Sequence, residues 1–263
     1  MLVSIITVGM NHISYIKKLY KSLFEDFPPT VSFEAIYVDN CSSDGSVEFI
    51  RDNYPLVRIV ENQIVKGFGD NNNIGVQQAI GEYVAIINPD IIMQKNSIDA
   101  LFFFMRNNLN IGIVVPQLLN DDLSIQYSVR GFISLKMLLC RFLTKGNDNV
   151  RWKTIDRYLR KDLDIELTQP VDWAIGAAMF ISKNFYLELG GFDKNYFLYM
   201  EDQDICLRSW KLKRPIIYLP EAKMIHNHLR GSSKLGKKTL LHIKSMVIFF
   251  MKHGANIKSF CNN

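Results

Sequence analysis

Apolar residues along the chain switch repeatedly between two periodicities, and the switches predict the elements. Residues 2–8 (LVSIITV) form an unbroken β-rich apolar run, the pattern of a strand buried on both faces of a parallel sheet. Residues 13–24 then carry Ile13, Ile16, Leu19, Tyr20 and Leu23 at helical spacing. A second strand is predicted over 33–38, ending at Asp39, and Ser42-Ser43-Asp44-Gly45 supplies turn and cap chemistry before a helix through Val47, Phe49 and Ile50. Further strands are expected over 57–60, 83–87 and 113–115, with helices over 72–80 and 97–107. This β-α-β-α order to about residue 115 predicts an α/β fold with a mostly parallel sheet flanked by helices. The remainder is less regular: a basic amphipathic stretch over 135–163, a strand over 177–182, a helix over 201–213 and a strand over 216–219. No Pro/Gly/Ser linker divides the chain, so a single catalytic-size domain is expected over 1–235, with 236–263 as a basic amphipathic helix.

Composition changes the picture little, and charge changes it more. With 48% hydrophobic and 22% charged residues, the chain fits neither a disordered nor a fibrous protein. The four cysteines are scattered without a CxxC pair, which argues against a structural zinc site and fits reduced thiols. The first residues lack the basic n-region of a signal peptide, and no run reaches the length of a membrane span, so a cytoplasmic protein is expected. The net charge of +5 hides an asymmetry. From residue 211 onward stand eleven Lys and Arg against one acid, Glu221, while the preceding 210 residues hold an excess of acids. A basic end on an acidic body points to an anionic ligand or surface there.

In an open parallel sheet ligands bind outside the carboxyl ends of the strands, so the polar residues there are the informative ones. They are Thr7 and Asn11 after the first strand, Asp39 after the second, and Asn88 and Asp90 after the strand over 83–87. Asp39 suits a nucleobase imide or a ribose hydroxyl, or else caps the next helix. The dinucleotide fingerprint needs three glycines after the first strand, and Val8-Gly9-Met10-Asn11-His12 has one, which argues against an NAD-dependent oxidoreductase. A nucleotidyltransferase would need a glycine-rich basic loop at the same place. Asp90 offers a hard oxygen ligand for Mg²⁺ or Mn²⁺ bridging a diphosphate, or caps the following helix. A second acidic group, Glu201, Asp202 and Asp204, follows Tyr196, Phe197 and Tyr199. A carboxylate held against such an aromatic wall suits a general base with a raised pKa.

At these residues the sequence resembles the inverting family-2 glycosyltransferases, a group with rhamnosyltransferase-like members that build bacterial surface polysaccharides such as O-antigen or capsule. The matching segments are IITVGMN, YVDNCSSDGS, NQIVKGFGDNNNIG, YVAIINPD, VDWAIGAAMFISK, LGGFDKNYFLYMEDQDICLRSWK and IHNHLRGSS, in family order from residue 3 to about 233. The resemblance implies a GT-A fold, with a nucleotide-sugar-binding half over 1–115 and an acceptor half over 116–235. It implies a sugar transferred from a nucleoside-diphosphate donor, dTDP- or UDP-linked, by single displacement with inversion. Rhamnose is the sugar it suggests. It places Asp39 at the nucleobase, Thr7 and Asn11 in the nucleotide pocket, and Asn73 and Gly75 beside the donor. Asn88 and Asp90 stand where relatives carry D-x-D, so Asp90 alone would be the acidic metal ligand. Asp172 and Trp173 match positions near the donor sugar and acceptor. Asp202 resembles the catalytic base, with Glu201 beside it. His226 resembles the histidine near metal or diphosphate, a role His228 could also fill, and Arg230 would face the diphosphate.

The implied partners are the nucleotide sugar and a glycan or lipid-linked oligosaccharide acceptor; nothing suggests nucleic acid. The missing first Asp of D-x-D leaves a second class open, a catalytically silent glycan-binding subunit. The tail over 236–263 reads either as a helix closing the core or as an interfacial helix on an anionic membrane, which would make the protein peripheral to the inner face.

Overall fold

The computed structural model describes residues 2–144, 146–147, 150–227 and 237–261. Its first half follows the predicted alternation: β1 (Val3–Gly9), α1 (Ile13–Lys21), β2 (Phe33–Asp39), α2 (Ser46–Asn53), β3 (Arg58–Glu61), α3 (Phe68–Gln78) and β4 (Tyr83–Ile87). A short β5 (Ile91–Met93), α4 (Ser97–Asn107) and β6 (Ile113–Leu119) follow. The second half comprises β7 (Val129–Arg130), α5 (Leu135–Leu143), α6 (Lys153–Tyr158), β8 (Gln169–Val171), β9 (Trp173–Ala174), β10 (Ala178–Ser182), α7 (Lys183–Glu188), α8 (Glu201–Lys211), β11 (Ile216–His226) and α9 (Lys237–His253).

The main sheet runs β3-β2-β1-β4-β10-β6-β11-β5, with β8 added alongside β11. Pairings are parallel from β3 through β4 and again between β6 and β11. The sheet is mixed because β10 inserts antiparallel between β4 and β6. Two antiparallel contacts on one strand leave β4, β6 and β11 pointing the same way. Hence the ends of β1, β2, β4 and β11 and the start of β10 share one edge.

Alternating residues of the parallel strands feed two cores. Ile6, Ile36, Val38, Val84 and Ile86 face one, and Val3, Ile5, Tyr37, Ala85 and Ile87 the other. Helix α3 packs on the first, and Gly75 lets it approach: a Cβ there would collide with Ile6 Cγ2 and meet Val38 at 3.2 Å. Gly75→Ala is therefore expected to destabilise the fold by on the order of 1–3 kcal/mol, overcoming the helix-propensity gain, and to lower the melting midpoint.

Three expectations are corrected. Helix α3 begins at Phe68 rather than residue 72, because the asparagines, poor helix formers, are held by tertiary bonds. The basic stretch over 135–163 is divided between α5 and α6. The C-terminal helix ends at His253, where Gly254 adopts φ +81°, and the chain after it returns to the core. There Asn256 bridges to Ser134, and Phe260 stacks on Trp210 at 5.1 Å.

Candidate active site

The loops at the carboxyl edge are tied to one another by polar side chains. Asn11, in a left-handed conformation, accepts from the Ser43 N–H at 2.8 Å, and its own N–H donates to Ser42 Oγ. Asp44 accepts from the N–H groups of Ile13 at 2.8 Å and Ser46 at 3.1 Å, joining the starts of α1 and α2. Asn40 clasps the Lys66 backbone through both amide atoms. Within this frame Asp39 is buried at the end of β2, with Oδ2 accepting from the Ser42 N–H at 2.9 Å and Oδ1 only distantly reached by the Tyr37 hydroxyl. The buried Thr7 Oγ1 has no hydrogen-bond partner among the described residues. Thr7, Asn11 and Asp39 thus gather at the ends of adjacent strands, in the register Gly9 opposite Asp39.

Asn88 and Asp90 follow β4 at the same edge, and the Asn88 N–H donates to Ala177 O just before β10. The antiparallel pairing of β5 and β11 brings the last residue of β11, His226, beside Asp90. His226 Nε2 lies 3.5 Å from Asp90 Oδ1, a buried carboxylate oxygen that accepts no hydrogen bond from the described residues. His226 Nδ1 sits 2.6 Å from Gln126 Oε1. An amide oxygen only accepts, so Nδ1 donates to Gln126 and Nε2 is the ring nitrogen left facing Asp90. Metal-ligating histidines are oriented in this way by an outer partner. Among the described residues no cluster of three or more His, Cys, Asp or Glu could hold a metal by itself. One carboxylate completed by phosphate and water suffices for a divalent ion at a phosphate site, so Asp90, with an unsatisfied oxygen and His226 beside it, fits such an ion.

The acidic group begins α8. Tyr199 and Met200, both left-handed, turn the chain so that Glu201 and Asp202 open the helix. Asp202 Oδ2 accepts from the Gly176 N–H at 3.0 Å and Oδ1 from the Gln203 N–H at 2.8 Å. Burial pushes its carboxyl above the ordinary range, opposed by those two N–H bonds and by the Arg130 charge. Glu201 is driven up further, first by burial and then by the Asp202 charge, and its Oε2 has no hydrogen-bond partner among the described residues. Of the two, Glu201 is therefore the more readily protonated, and Asp202, with its two N–H donors, is the better placed to carry negative charge. The aromatic wall expected around this base belongs elsewhere. Tyr196 faces Asp204 and Tyr199 packs on His242, while the ring near Asp202 is Phe68, across Gly176.

Several expected donor contacts are engaged inside the protein. Asn73 accepts from the Tyr186 hydroxyl at 2.6 Å and the Phe192 N–H at 2.9 Å, and donates to Phe192 O, so its amide clasps α3 to the segment before α8. Gly75 serves the packing of α3 on β1. Asp172 is buried, with Oδ1 accepting from Ser259 Oγ at 3.0 Å and the Phe260 N–H at 2.8 Å; the returning tail covers it. Trp173 is buried and donates to Gly131 O at 2.8 Å. Neither Asp172 nor Trp173 is presented to a ligand in this arrangement. Arg230 and His228 lie outside the described residues. Sequence reasoning missed Gln126 and Arg130. Arg130 is held by the Tyr158 hydroxyl at 3.2 Å and lies over that ring. Both sit in short, irregular segments whose pattern carries no periodic signal.

The profile of "Glycosyl transferase family 2" matches residues 4–182. Rhamnosyltransferase WbbL of Escherichia coli (strain K12) is 28% identical over 253 residues, covering 93% of this chain and 90% of the relative. The N-acetylglucosaminyl-diphospho-decaprenol L-rhamnosyltransferase of Mycobacterium tuberculosis (strain ATCC 25618 / H37Rv) is 27% identical over 231 residues, 81% of this chain and 73% of that one. Among solved structures, the mannosyltransferase PcManGT from Pyrobaculum calidifontis, in complex with GDP-Man and Mn²⁺, superposes with a TM-score of 0.65 at 16% identity over 98% of this chain. GalNAc-T7 with UDP, GalNAc and Mn²⁺ does so with a TM-score of 0.66 at 16% identity over 88%. The chain spans 65% and 44% of those two proteins, and the likeness shows a shared GT-A fold. With more than half its length matched by the family profile and the sheet edge arranged as described, the chain belongs to glycosyl transferase family 2.

Proposed function

We propose that this glycosyltransferase moves a hexosyl group, rhamnose by the names of its relatives, from a nucleoside diphosphate to a lipid-linked glycan with inversion at the anomeric carbon. The observation that carries the reading is Asp202, a carboxylate fixed by two backbone N–H groups at the start of α8, on the edge that also holds Asp39 and Asp90. Asp39, Thr7 and Asn11 receive the nucleoside, with a pyrimidine base preferred. Asn88 and Asp90 lie under the diphosphate. Asp90 and His226 would hold Mg²⁺ or Mn²⁺, which neutralises charge on the leaving diphosphate when bound. Asp202 takes the proton of the acceptor hydroxyl as that oxygen bonds to the anomeric carbon and the diphosphate leaves from the opposite face. No covalent enzyme intermediate forms, so one carboxylate suffices. An acceptor with a lipid end places the reaction at a membrane surface.

The test is a panel of dTDP-, UDP- and GDP-sugars with a water-soluble N-acetylglucosaminyl-diphospholipid analogue, followed by NMR of the product. Turnover with one pyrimidine-linked sugar and an inverted product is expected. A retained configuration would exclude single displacement, and no turnover with any donor would remove the assignment.

Gln126 adds a prediction of its own. Gln126→Ala removes the acceptor that orients the His226 ring through Nδ1, so half-maximal activity should require roughly 10–100-fold more Mn²⁺. At saturating metal the rate should approach wild type, as read from initial rates across a metal titration.

A further inference from the structure

Two helices leave large apolar side chains in solvent, and both flank the catalytic edge. On α9 the exposed side chains Leu240, Ile243, Val247 and Met251 recur at intervals of three or four residues, forming one stripe opposite the buried Ser245 and Phe249. On α5, Leu135, Leu139, Phe142 and Leu143 do the same opposite the buried Met137, and Phe142 is 80% exposed. The two helices meet where Ser134, just before α5, bridges to Asn256, just after α9. Each is tied to the site. α5 begins five residues after Arg130, and α9 holds the segment before the base through Ser245 Oγ to Leu198 O at 2.8 Å and through His242 on Tyr199.

Their charge is of one sign. Neither α5 nor α9 contains an acid, and Lys136 and Lys244 stand exposed beside the stripes. Among the described residues no helix is long and apolar enough to cross a membrane. Apolar stripes bordered only by cations match an anionic lipid surface, where the apolar side chains enter the acyl boundary and the lysines meet headgroups. They match a second copy less well, since a twofold contact through the same patch sets lysine against lysine.

We infer that α5 and α9 together form the surface on which the enzyme docks to an anionic bilayer, with Phe142, Leu139, Val247 and Met251 entering the lipid. The inference draws its purpose from the lipid-linked-acceptor reading, but vesicle binding is measured without substrate, so the two can fail separately.

The experiment is flotation of the full chain with phosphatidylglycerol-containing vesicles and with pure phosphatidylcholine vesicles. Binding to the anionic vesicles, weakened by salt, is expected. The paired variants Leu139→Ser with Phe142→Ser, and Val247→Ser with Met251→Ser, should each lower it roughly tenfold or more. Turnover of a soluble acceptor analogue should be unchanged, which shows that the variants fold. Phe142→Trp should give a blue-shifted emission with anionic vesicles. Wild-type flotation by the α5 pair, or no spectral shift, would overturn the part assigned to α5. Equal binding to neutral vesicles, or a solution dimer that the variants dissociate, would overturn the anionic surface as the occupant.

Discussion

Asp202→Asn is expected to lower the rate of sugar transfer by about 10²–10⁴-fold while leaving the affinity for the nucleotide sugar near wild type. The amide keeps the size of the carboxylate, but its single oxygen can accept from only one of the Gly176 and Gln203 N–H groups, so a modest loss of stability accompanies the loss of rate. What it loses is the ability to take a proton. The loss should therefore appear in kcat, with the dissociation constant for the donor measured separately by calorimetry. Glu201→Gln provides the contrast. Burial and the Asp202 charge make Glu201 the more readily protonated of the pair, so a neutral amide there should retain most of the activity. The pH dependence carries a sign. Burial raises the Asp202 carboxyl, and a base works only when deprotonated, so transfer should fall on the acid side through a pKa above the ordinary carboxylate range. Arg130→Met removes a charge that draws that pKa down, and the acid limb should move to higher pH. Wild-type turnover by Asp202→Asn would remove Asp202 from the chemistry.

The residues that define this base were visible in the sequence to unequal degrees, and the reasons are physical. Asp39 could be placed because an apolar run stops at it, and β2 does end there. Asp90 could be placed because Asn88-Pro89-Asp90 ends the strand before it. Glu201 and Asp202 could be singled out as a run of acids beside aromatic residues, although Tyr196 and Tyr199 turn to Asp204 and His242 instead. Which carboxylate bears the charge could not be read, because that depends on the Gly176 N–H, supplied by a loop 26 residues earlier. Asp172 shows the same limit from the other side. Its place in a motif says which strand end it occupies, yet the returning tail, folded back by Gly254, decides what its carboxylate meets. The antiparallel β10 was also illegible, for an apolar five-residue strand carries no mark of its direction.

Asp204→Ala is expected to produce the largest loss of stability of any single substitution in α8, about 3–5 kcal/mol at neutral pH. The Asp204 side chain is wholly inaccessible, and three cationic or imidazole groups converge on it: Arg208 Nε at 2.7 Å, Lys252 Nζ at 2.8 Å and His253 Nε2 at 2.7 Å. Arg208 also reaches the carbonyls of Leu189 and Gly191, and Lys252 reaches Asp193. One carboxylate thereby joins α8, the end of α9 and the segment leading to the base. Burial alone would raise its pKa, but the His253 hydrogen bond, the Arg208 charge and Lys252 outweigh burial and hold it at about 2. A carboxyl whose folded pKa is depressed contributes stability that is present above its unfolded value, near 4, and lost as pH falls toward 2. For the wild type that contribution is on the order of 2 kcal/mol, and the variant should lack this acid-dependent component. Urea unfolding at pH 7 and at pH 3 measures both effects: a large gap between the two proteins at pH 7 that narrows at pH 3. Because Lys252 keeps only its bond to Asp193 and His253 loses its carboxylate partner, limited proteolysis should also cut the variant first at the end of α9. Equal stability of the two proteins at pH 7 would mean that packing of Phe249, rather than this charge cluster, holds α9 to the catalytic half.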